Sequence, residues 1–159
     1  MRWGVSGKPI PSGLPYEEQI KDACFVYSFP PCLAYAIASV ETIGGEVAGS
    51  WNAATVISAD GGHGLFQLTS YVPPGWDDPV TNALCAVLDW LVPDATRAFQ
   101  ELRLSEDNLV RAVAASFNAG WYGMMSGHRL NDVDRFTHNH YAARVLANYH
   151  KLVAGQSPF

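Results

Sequence analysis

The first residue whose type and position suggest chemistry is Glu41, a carboxylic acid at the end of an apolar run. Residues 33–40, which precede it, are apolar except for Ser39 and the hydroxyl of Tyr35. Because burial disfavours the charged form of a carboxyl group, a glutamate held there can keep its proton near neutral pH. A protonated acid is what proton transfer to a leaving glycosidic oxygen requires. The alternative is a solvated glutamate at a helix end.

A glycine-rich stretch over residues 58–68 combines groups suited to binding a sugar. Ser58 stands nine residues before Gln67, and Phe66 directly precedes Gln67. Glycine lets the backbone turn tightly and lets a sugar approach closely. The carboxamide of Gln67 offers both donors and an acceptor to amide and hydroxyl groups. The alternative interpretation is an ordinary glycine-rich hairpin with a surface glutamine.

Two later segments add an amide and a phenol. Residues 116–120 read Ser-Phe-Asn-Ala-Gly, and Tyr141 begins an apolar, helix-like segment. Asn118 could bind polar groups of a substrate, or simply cap a helix. Tyr141 could approach the glutamate from the last helix, or be a core aromatic on an amphipathic helix. Periodicity alone does not decide between these roles.

In this order the four segments resemble the soluble lytic transglycosylase and goose-type lysozyme superfamily, which cleaves the glycan strands of bacterial peptidoglycan. In that family a serine precedes the glutamine of a Gly-Leu-Met-Gln motif by nine residues, and residues 64–67 here read Gly-Leu-Phe-Gln. Residues 116–120 are similar to its Ala-Tyr-Asn-Ala-Gly block, and Tyr141 to the start of its Tyr-Val-x-x-Val block. The resemblance covers about residues 30–150 and suggests a phage-type endolysin or virion-associated lysin.

The resemblance implies that Glu41 is the single general acid and base of a peptidoglycan lytic transglycosylase. Such an enzyme protonates the oxygen of the MurNAc-GlcNAc β-1,4 bond and then deprotonates the C6 hydroxyl of MurNAc. That hydroxyl attacks its own anomeric carbon and leaves a 1,6-anhydro product. The expected substrate-binding residues are Ser58, Asp60, Phe66, Gln67, Phe117, Asn118 and Tyr141.

A lysozyme-like hydrolase is the first alternative that stays open. Goose-type lysozymes carry aspartates at the positions of Ser58 and Thr69, and this chain has neither. Hydrolysis normally needs a second carboxylate, so their absence favours the transglycosylase. Asp60 or Glu46 could nevertheless act as that second carboxylate.

A non-catalytic glycan-binding domain is the second alternative. The chain departs from the family pattern at Phe117, where the family has Tyr, and at Thr42, where it has Ser. Asp78, Pro79 and Asn82 resemble a further family block, Asp-Pro-x-x-Asn, for which a structural role is expected.

The elements that must position these residues are mainly helical. Apolar periodicity and capping residues predict helices over residues 16–28, 31–42, 78–91, 93–104, 105–117 and 134–153. A small hairpin is predicted within residues 45–75, turning at residues 59–62, and a glycine-rich loop over residues 120–127. The predicted fold class is therefore mainly α, a lysozyme-like α+β fold with a small β-hairpin bordering a substrate cleft.

The length of 159 residues suits one domain. Residues 1–29 are expected to form an N-terminal arm and first helix, and residues 30–159 the lysozyme-like catalytic domain. The net charge of −5 argues against nucleic-acid binding by a basic face. No run approaches the roughly 18–20 apolar residues of a membrane span. A monomer that binds bacterial peptidoglycan is expected.

Metal and disulfide chemistry are not expected. The five histidines lack a His-Glu-x-x-His motif, and the three cysteines lack Cys-x-x-Cys spacing. Neither a metal nor a cofactor is therefore predicted. All three cysteines lie in apolar stretches, which favours buried free thiols. Residues 1–4 lack the features of a signal peptide, which suggests an endolysin made in the host cytoplasm and released to the periplasm and cell wall, or a virion-associated protein.

Overall fold

The computed structural model describes residues 2–44 and 50–159, and within them the protein is built from six α-helices. These are α1 (Glu17–Tyr27), α2 (Pro31–Ala38), α3 (Pro79–Ala86), α4 (Val92–Glu101), α5 (Glu106–Arg129) and α6 (Tyr141–Val153). Two 3-10 turns span Arg2–Gly4 and Ser50–Thr55, and two π turns span Ser39–Ile43 and Val87–Leu91. The prediction of a mainly helical protein is confirmed.

The helix α2 lies at the centre of the core. Pro31 begins it, at a position where the missing N–H has no partner to lose. All of its other side chains, from Cys32 to Ala38, are buried. A helix that is apolar on every side is stable only when surrounded, and here α1 and α6 both contact it. The run that precedes Glu41 is thus a core helix.

A widened π turn follows α2 and carries Glu41. The Gly44 N–H donates to the carbonyl of Ser39, five residues earlier, at 2.8 Å. A Cβ on Gly44 would lie 2.4 Å from that carbonyl oxygen, so a glycine is what allows this closure. Such π turns within helices are frequent at functional sites. The helix predicted over residues 31–42 thus ends in an altered turn around the candidate acid.

The predicted glycine-rich loop over residues 120–127 is wrong, because α5 continues to Arg129. The helix is kinked at Gly120, where φ is 78° and ψ is 161°. Beyond the kink, Gly127 is buried, and a Cβ there would lie 2.3 Å from the carbonyl oxygen of Asp132. Glycine therefore serves close packing at Gly127 rather than a loop.

The predicted start of the last helix at residue 134 is also wrong, because α6 begins at Tyr141. The carboxylate of Asp134 accepts hydrogen bonds from the N–H groups of Ala142 at 2.7 Å and Ala143 at 2.9 Å. These are first-turn donors that lack partners within a helix. Asp134 therefore caps α6 from a distance, and residues 134–140 form the capping segment rather than a helical turn.

The predicted β-hairpin corresponds in the structure to a loop, called here the glycine loop (residues 57–68). In the described parts of the chain there is no strand, but isolated antiparallel bridges join Ile57 to His63 and His63 to Leu68. The chain does reverse where predicted, since the Ser58 N–H donates to the Gly62 carbonyl at 2.9 Å. Residues 45–49 of the predicted hairpin region lie outside the described residues.

The N-terminal arm packs against the helical core. The ring of Trp3 lies 5.5 Å from that of Phe29, and the Ser6 N–H donates to the hydroxyl of Tyr149 at 3.2 Å. The three cysteines are free and buried, as predicted. In the described residues, no helix combines the length and apolar character that crossing a membrane requires.

Candidate active site

The carboxyl of Glu41 and the phenol of Tyr141 meet where the π turn contacts α6. The Tyr141 hydroxyl donates to Glu41 Oε1 at 2.7 Å, across a separation of 100 residues in the chain. Tyr141 is buried, with 3% of its surface exposed, and Glu41 is partly buried. The structure thus brings together the two predicted site residues that are farthest apart in the sequence.

Burial raises the pKa of Glu41 from its ordinary value of 4.5 to about 7. Desolvation is the largest cause, since it disfavours the charged carboxylate. The hydrogen bond from Tyr141 lowers the pKa, the negative charge of Asp60 raises it, and the positive charge of Arg144 lowers it. Near neutral pH both forms of Glu41 are therefore populated, which suits a group that first gives and then accepts a proton.

The same surroundings keep the phenol of Tyr141 protonated. Burial is the largest cause that raises its pKa, and the neighbouring Glu41 raises it further. The backbone of Tyr141 is fixed as well, because its N–H donates to the hydroxyl of Thr137 at 3.3 Å. On the next turns of α6, the Asn148 amide donates to the Ser39 hydroxyl at 2.9 Å. The helix α6 is therefore tied to the π turn beside the acid.

Thr42, the residue after the acid, connects the π turn to the glycine loop. Its hydroxyl is buried and donates to the carbonyl of Leu65 at 2.7 Å. A buried hydroxyl without a partner would be unfavourable, so this bond holds the loop in one position relative to Glu41. A polar residue directly after a long apolar run is the sequence signal for this contact, and it does not by itself indicate a partner.

Asn82 is the second anchor of the glycine loop. It is completely buried, and its Oδ1 accepts the N–H of Phe66 at 2.8 Å. Its Nδ2 donates to the carbonyls of His63 at 3.0 Å and Trp76 at 3.1 Å. One side chain thus satisfies three backbone groups of the loop and the segment after it. This agrees with the structural role expected for Asn82.

Ser58, Gly62 and Gln67 form a tight cluster on the glycine loop. The Gly62 N–H donates to Ser58 Oγ at 3.2 Å. A Cβ on Gly62 would lie 2.4 Å from Gln67 Oε1 and 2.9 Å from Ser58 Oγ, so both oxygens close over the glycine. Gln67 also has a left-handed backbone, with φ of 51°. Non-glycine residues are held in that conformation at some energetic cost, often at functional sites.

Asp60 is exposed, and hydrogen bonds from its own loop favour its ionised form. The Ser58 hydroxyl donates to Asp60 Oδ1, and the Gly62 N–H donates to the same oxygen at 3.3 Å. These bonds, chiefly the one from Ser58, lower the pKa of Asp60. Its negative charge acts on Glu41, as the raised pKa of Glu41 records. The other proposed second carboxylate, Glu46, lies outside the described residues.

The remaining predicted residues join α5 to the site. Phe66 is completely buried and meets Phe117 edge to face, with ring centroids 6.3 Å apart. Phe66 therefore supports the glycine loop from beneath instead of offering a surface to a ligand. Asn118 is exposed, and its Oδ1 accepts the backbone N–H of His138 at 2.9 Å. That bond fixes α5 to the capping segment of α6.

In the described ranges, no group of three or more His, Cys, Asp or Glu side chains is arranged to hold a metal ion. The sequence matches no protein-family model, and it matches no curated protein. The chemistry of the site is therefore argued from its own geometry, in which a carboxyl of raised pKa lies between a phenol donor and a charged, glycine-rich loop.

Proposed function

We propose that this protein is a peptidoglycan lytic transglycosylase that cleaves the β-1,4 bond between MurNAc and GlcNAc, with Glu41 as its single general acid and base. The observation that carries the proposal is the Glu41 carboxyl, whose pKa is raised to about 7 beside a phenol donor. The order of the four sequence segments, which resembles the lytic transglycosylase superfamily, supports it independently. The predicted context of a phage endolysin or virion-associated lysin goes with this proposal.

In the first step the protonated Glu41 gives its proton to the glycosidic oxygen as the bond to the anomeric carbon breaks. Oε1 accepts from Tyr141, so Oε2 is the oxygen that carries the proton to the substrate. As negative charge builds on the carboxylate, the hydrogen bond from the phenol strengthens, because charged acceptors form stronger hydrogen bonds. The Tyr141 hydroxyl thus stabilises the ionised acid when it forms.

In the second step the carboxylate of Glu41 takes the proton of the MurNAc C6 hydroxyl. The C6 oxygen bonds to the anomeric carbon of the same residue and closes the 1,6-anhydro ring. Glu41 is protonated again, so the cycle consumes no water and needs no second carboxylate. In this proposal Ser58, Gln67 and Asn118 bind the hydroxyl and acetamido groups of the sugars.

A lysozyme-like hydrolase with Asp60 as the second carboxylate is the second candidate. The observation in its favour is that the charge of Asp60 raises the pKa of Glu41, which places the two groups in electrostatic contact. An inverting or retaining hydrolase uses such a pair of carboxylates. Against it, Asp60 already accepts hydrogen bonds from the Ser58 hydroxyl and the Gly62 N–H.

Mass spectrometry of the soluble products from purified peptidoglycan tests both candidates. The transglycosylase releases muropeptides lighter by one water, about 18 Da, than hydrolytic products. We expect them with the wild type and with Asp60→Asn, and not with Glu41→Gln. Glu101→Gln, which changes an exposed glutamate, serves as the matched control and keeps full activity.

Two results would overturn the proposal. Reducing-end products that disappear with Asp60→Asn would identify the hydrolase. If the folded wild type releases no product but co-sediments with peptidoglycan, the protein is the glycan-binding domain considered above.

A further inference from the structure

A concave region lies between the beginning and the end of α5. Its volume is about 210 Å³, and it is open to solvent on one side. This region, called here the Arg111 pocket, is lined by Leu104, Asn108, Arg111, His128, Asn131 and Val133. None of these residues belongs to the site around Glu41.

The polar groups of the Arg111 pocket are a guanidinium, an imidazole and two carboxamides. In the described residues, no hydrogen bond or ion pair joins any of these four side chains to another group of the protein. Arg111 is partly buried, so part of its side chain packs in the pocket while its guanidinium keeps donors that no protein acceptor uses. An unpaired guanidinium is notable in a chain with 15 acidic and only 10 basic side chains.

The acidic residues that neighbour the pocket in sequence are engaged elsewhere. Asp107, next to Asn108, accepts from the imidazole of His150 at 2.9 Å. Asp132, next to Asn131, accepts the backbone N–H of Asp134 at 3.1 Å. Neither hydrogen bond leads to Arg111, so among the described residues its guanidinium is free to bind a group from outside the chain.

The turn at the end of α5 holds the pocket in shape. The N–H groups of Leu130 and Asp132 both donate to the Gly127 carbonyl at 2.9 Å, and the Asn131 N–H donates to the His128 carbonyl at 3.0 Å. The last carbonyls of a helix otherwise present negative charge, which would repel an anion. These bonds occupy the Gly127 and His128 carbonyls, and the pocket lining is left with side-chain donors.

We propose that the Arg111 pocket binds the carboxylate of a small aliphatic ligand, such as the C-terminal residue of a short peptide. A guanidinium matches a carboxylate with two parallel hydrogen bonds, and the amides and imidazole add further donors. Leu104 and Val133 give an apolar wall for the aliphatic part. This inference is independent of the function proposed for Glu41.

Titration of the intact protein, followed by the NMR signals of the Asn108 and Asn131 amides, tests this proposal. The probes are N-acetyl-alanyl-alanine as the free acid, the same dipeptide as its C-terminal amide, and inorganic phosphate. We expect saturable binding of the acid, with at least tenfold weaker binding of the amide and of phosphate. Glu41→Gln is expected to bind the acid as the wild type does.

Variants assign the binding to the guanidinium. We expect Arg111→Gln to bind the acid at least tenfold more weakly and Arg111→Lys to recover part of the loss. Arg129→Gln, which removes an exposed charge near the same end of α5, is the matched control and should change binding less than threefold. Equal binding of acid and amide, tighter binding of phosphate, or no saturation by any probe would overturn the proposal. Dispersed NMR spectra of each variant show that it has folded.

Discussion

The Glu41–Tyr141 pair and the glycine loop form the two halves of the candidate site, and they are held in different ways. Glu41 lies on the π turn that follows α2, and Tyr141 begins α6, which contacts both, so hydrophobic packing between these elements fixes the pair. The loop has isolated bridges and depends on side-chain anchors from Thr42 and Asn82. Burial among the helices is therefore the main cause of the raised pKa of Glu41. The position of the glycine loop depends instead on a few hydrogen bonds.

The largest effect on stability is expected where one side chain anchors the loop. Asn82→Ala removes the acceptor of the buried Phe66 N–H and the side-chain donor to the carbonyls of His63 and Trp76, of which His63 keeps the Leu68 N–H. Because unsatisfied buried polar groups are costly, we expect a loss of about 2–4 kcal/mol in the free energy of unfolding, measured with urea. Asn52→Ala, at an exposed position, should change it by less than about 0.5 kcal/mol. A loss below that of the control would refute the anchoring role.

Glu41→Gln is expected to stabilise the protein in a pH-dependent way. The folded pKa of about 7 lies above the ordinary 4.5. Between these values the native state holds a proton that the unfolded state has lost, so the wild type loses stability as pH rises. The variant has no such group, and its advantage should grow from near zero at pH 4.5 to about 2–3 kcal/mol at pH 8. Urea unfolding at both pH values measures it; an advantage independent of pH would contradict the raised pKa.

Gly62→Ala is expected to displace the polar cluster of the loop while the helical frame stays intact. The added methyl group would lie 2.4 Å from Gln67 Oε1, so that side chain has to move. We expect the free energy of unfolding to fall by about 1 kcal/mol. Under the proposed function, we also expect the folded variant to cleave glycan more slowly than the wild type. Gly7→Ala, where nothing lies within 4 Å, is the matched control. Unchanged cleavage would show that the Gln67 position is not required.

The smallest effect is expected from Tyr141→Phe. Removing the phenol removes a hydrogen bond that lowers the pKa of Glu41, while burial remains. We therefore expect the pKa of Glu41 to rise by about half a unit. A carbon-13 NMR titration of the Glu41 carboxyl measures this change. Tyr122→Phe, at a side chain 85% exposed, is the control; a pKa that falls in Tyr141→Phe would contradict the assigned hydrogen bond.

The sequence predicted the helices of the protein better than the turns and kinks between them. Apolar runs and capping residues located the core helix and the burial of the run before Glu41, since both depend on local composition. The helical continuation through residues 120–127 was missed, because glycine was interpreted as a loop former. In the structure Gly127 permits close contact with Asp132, which depends on tertiary packing and has no local signal.

The candidate site also combines features that the sequence indicates with features that only the structure shows. Residue types and spacing singled out Ser58 and Gln67, but only the structure shows that both side chains close over Gly62. The Arg111 pocket could not be predicted, because it joins residues from both ends of a helix that is kinked at Gly120. A change of direction at one glycine is not visible in composition or periodicity.

The 100-residue separation between Glu41 and Tyr141 has a consequence for the growing chain on the ribosome. Glu41 emerges long before the phenol that will face it, and closing so long a loop is entropically unfavourable until the intervening helices have formed. During that interval the carboxyl is surrounded by water, keeps an ordinary pKa and is ionised at neutral pH. The raised pKa of Glu41 therefore appears only when α6 has docked against the π turn, after about 100 further residues have been made.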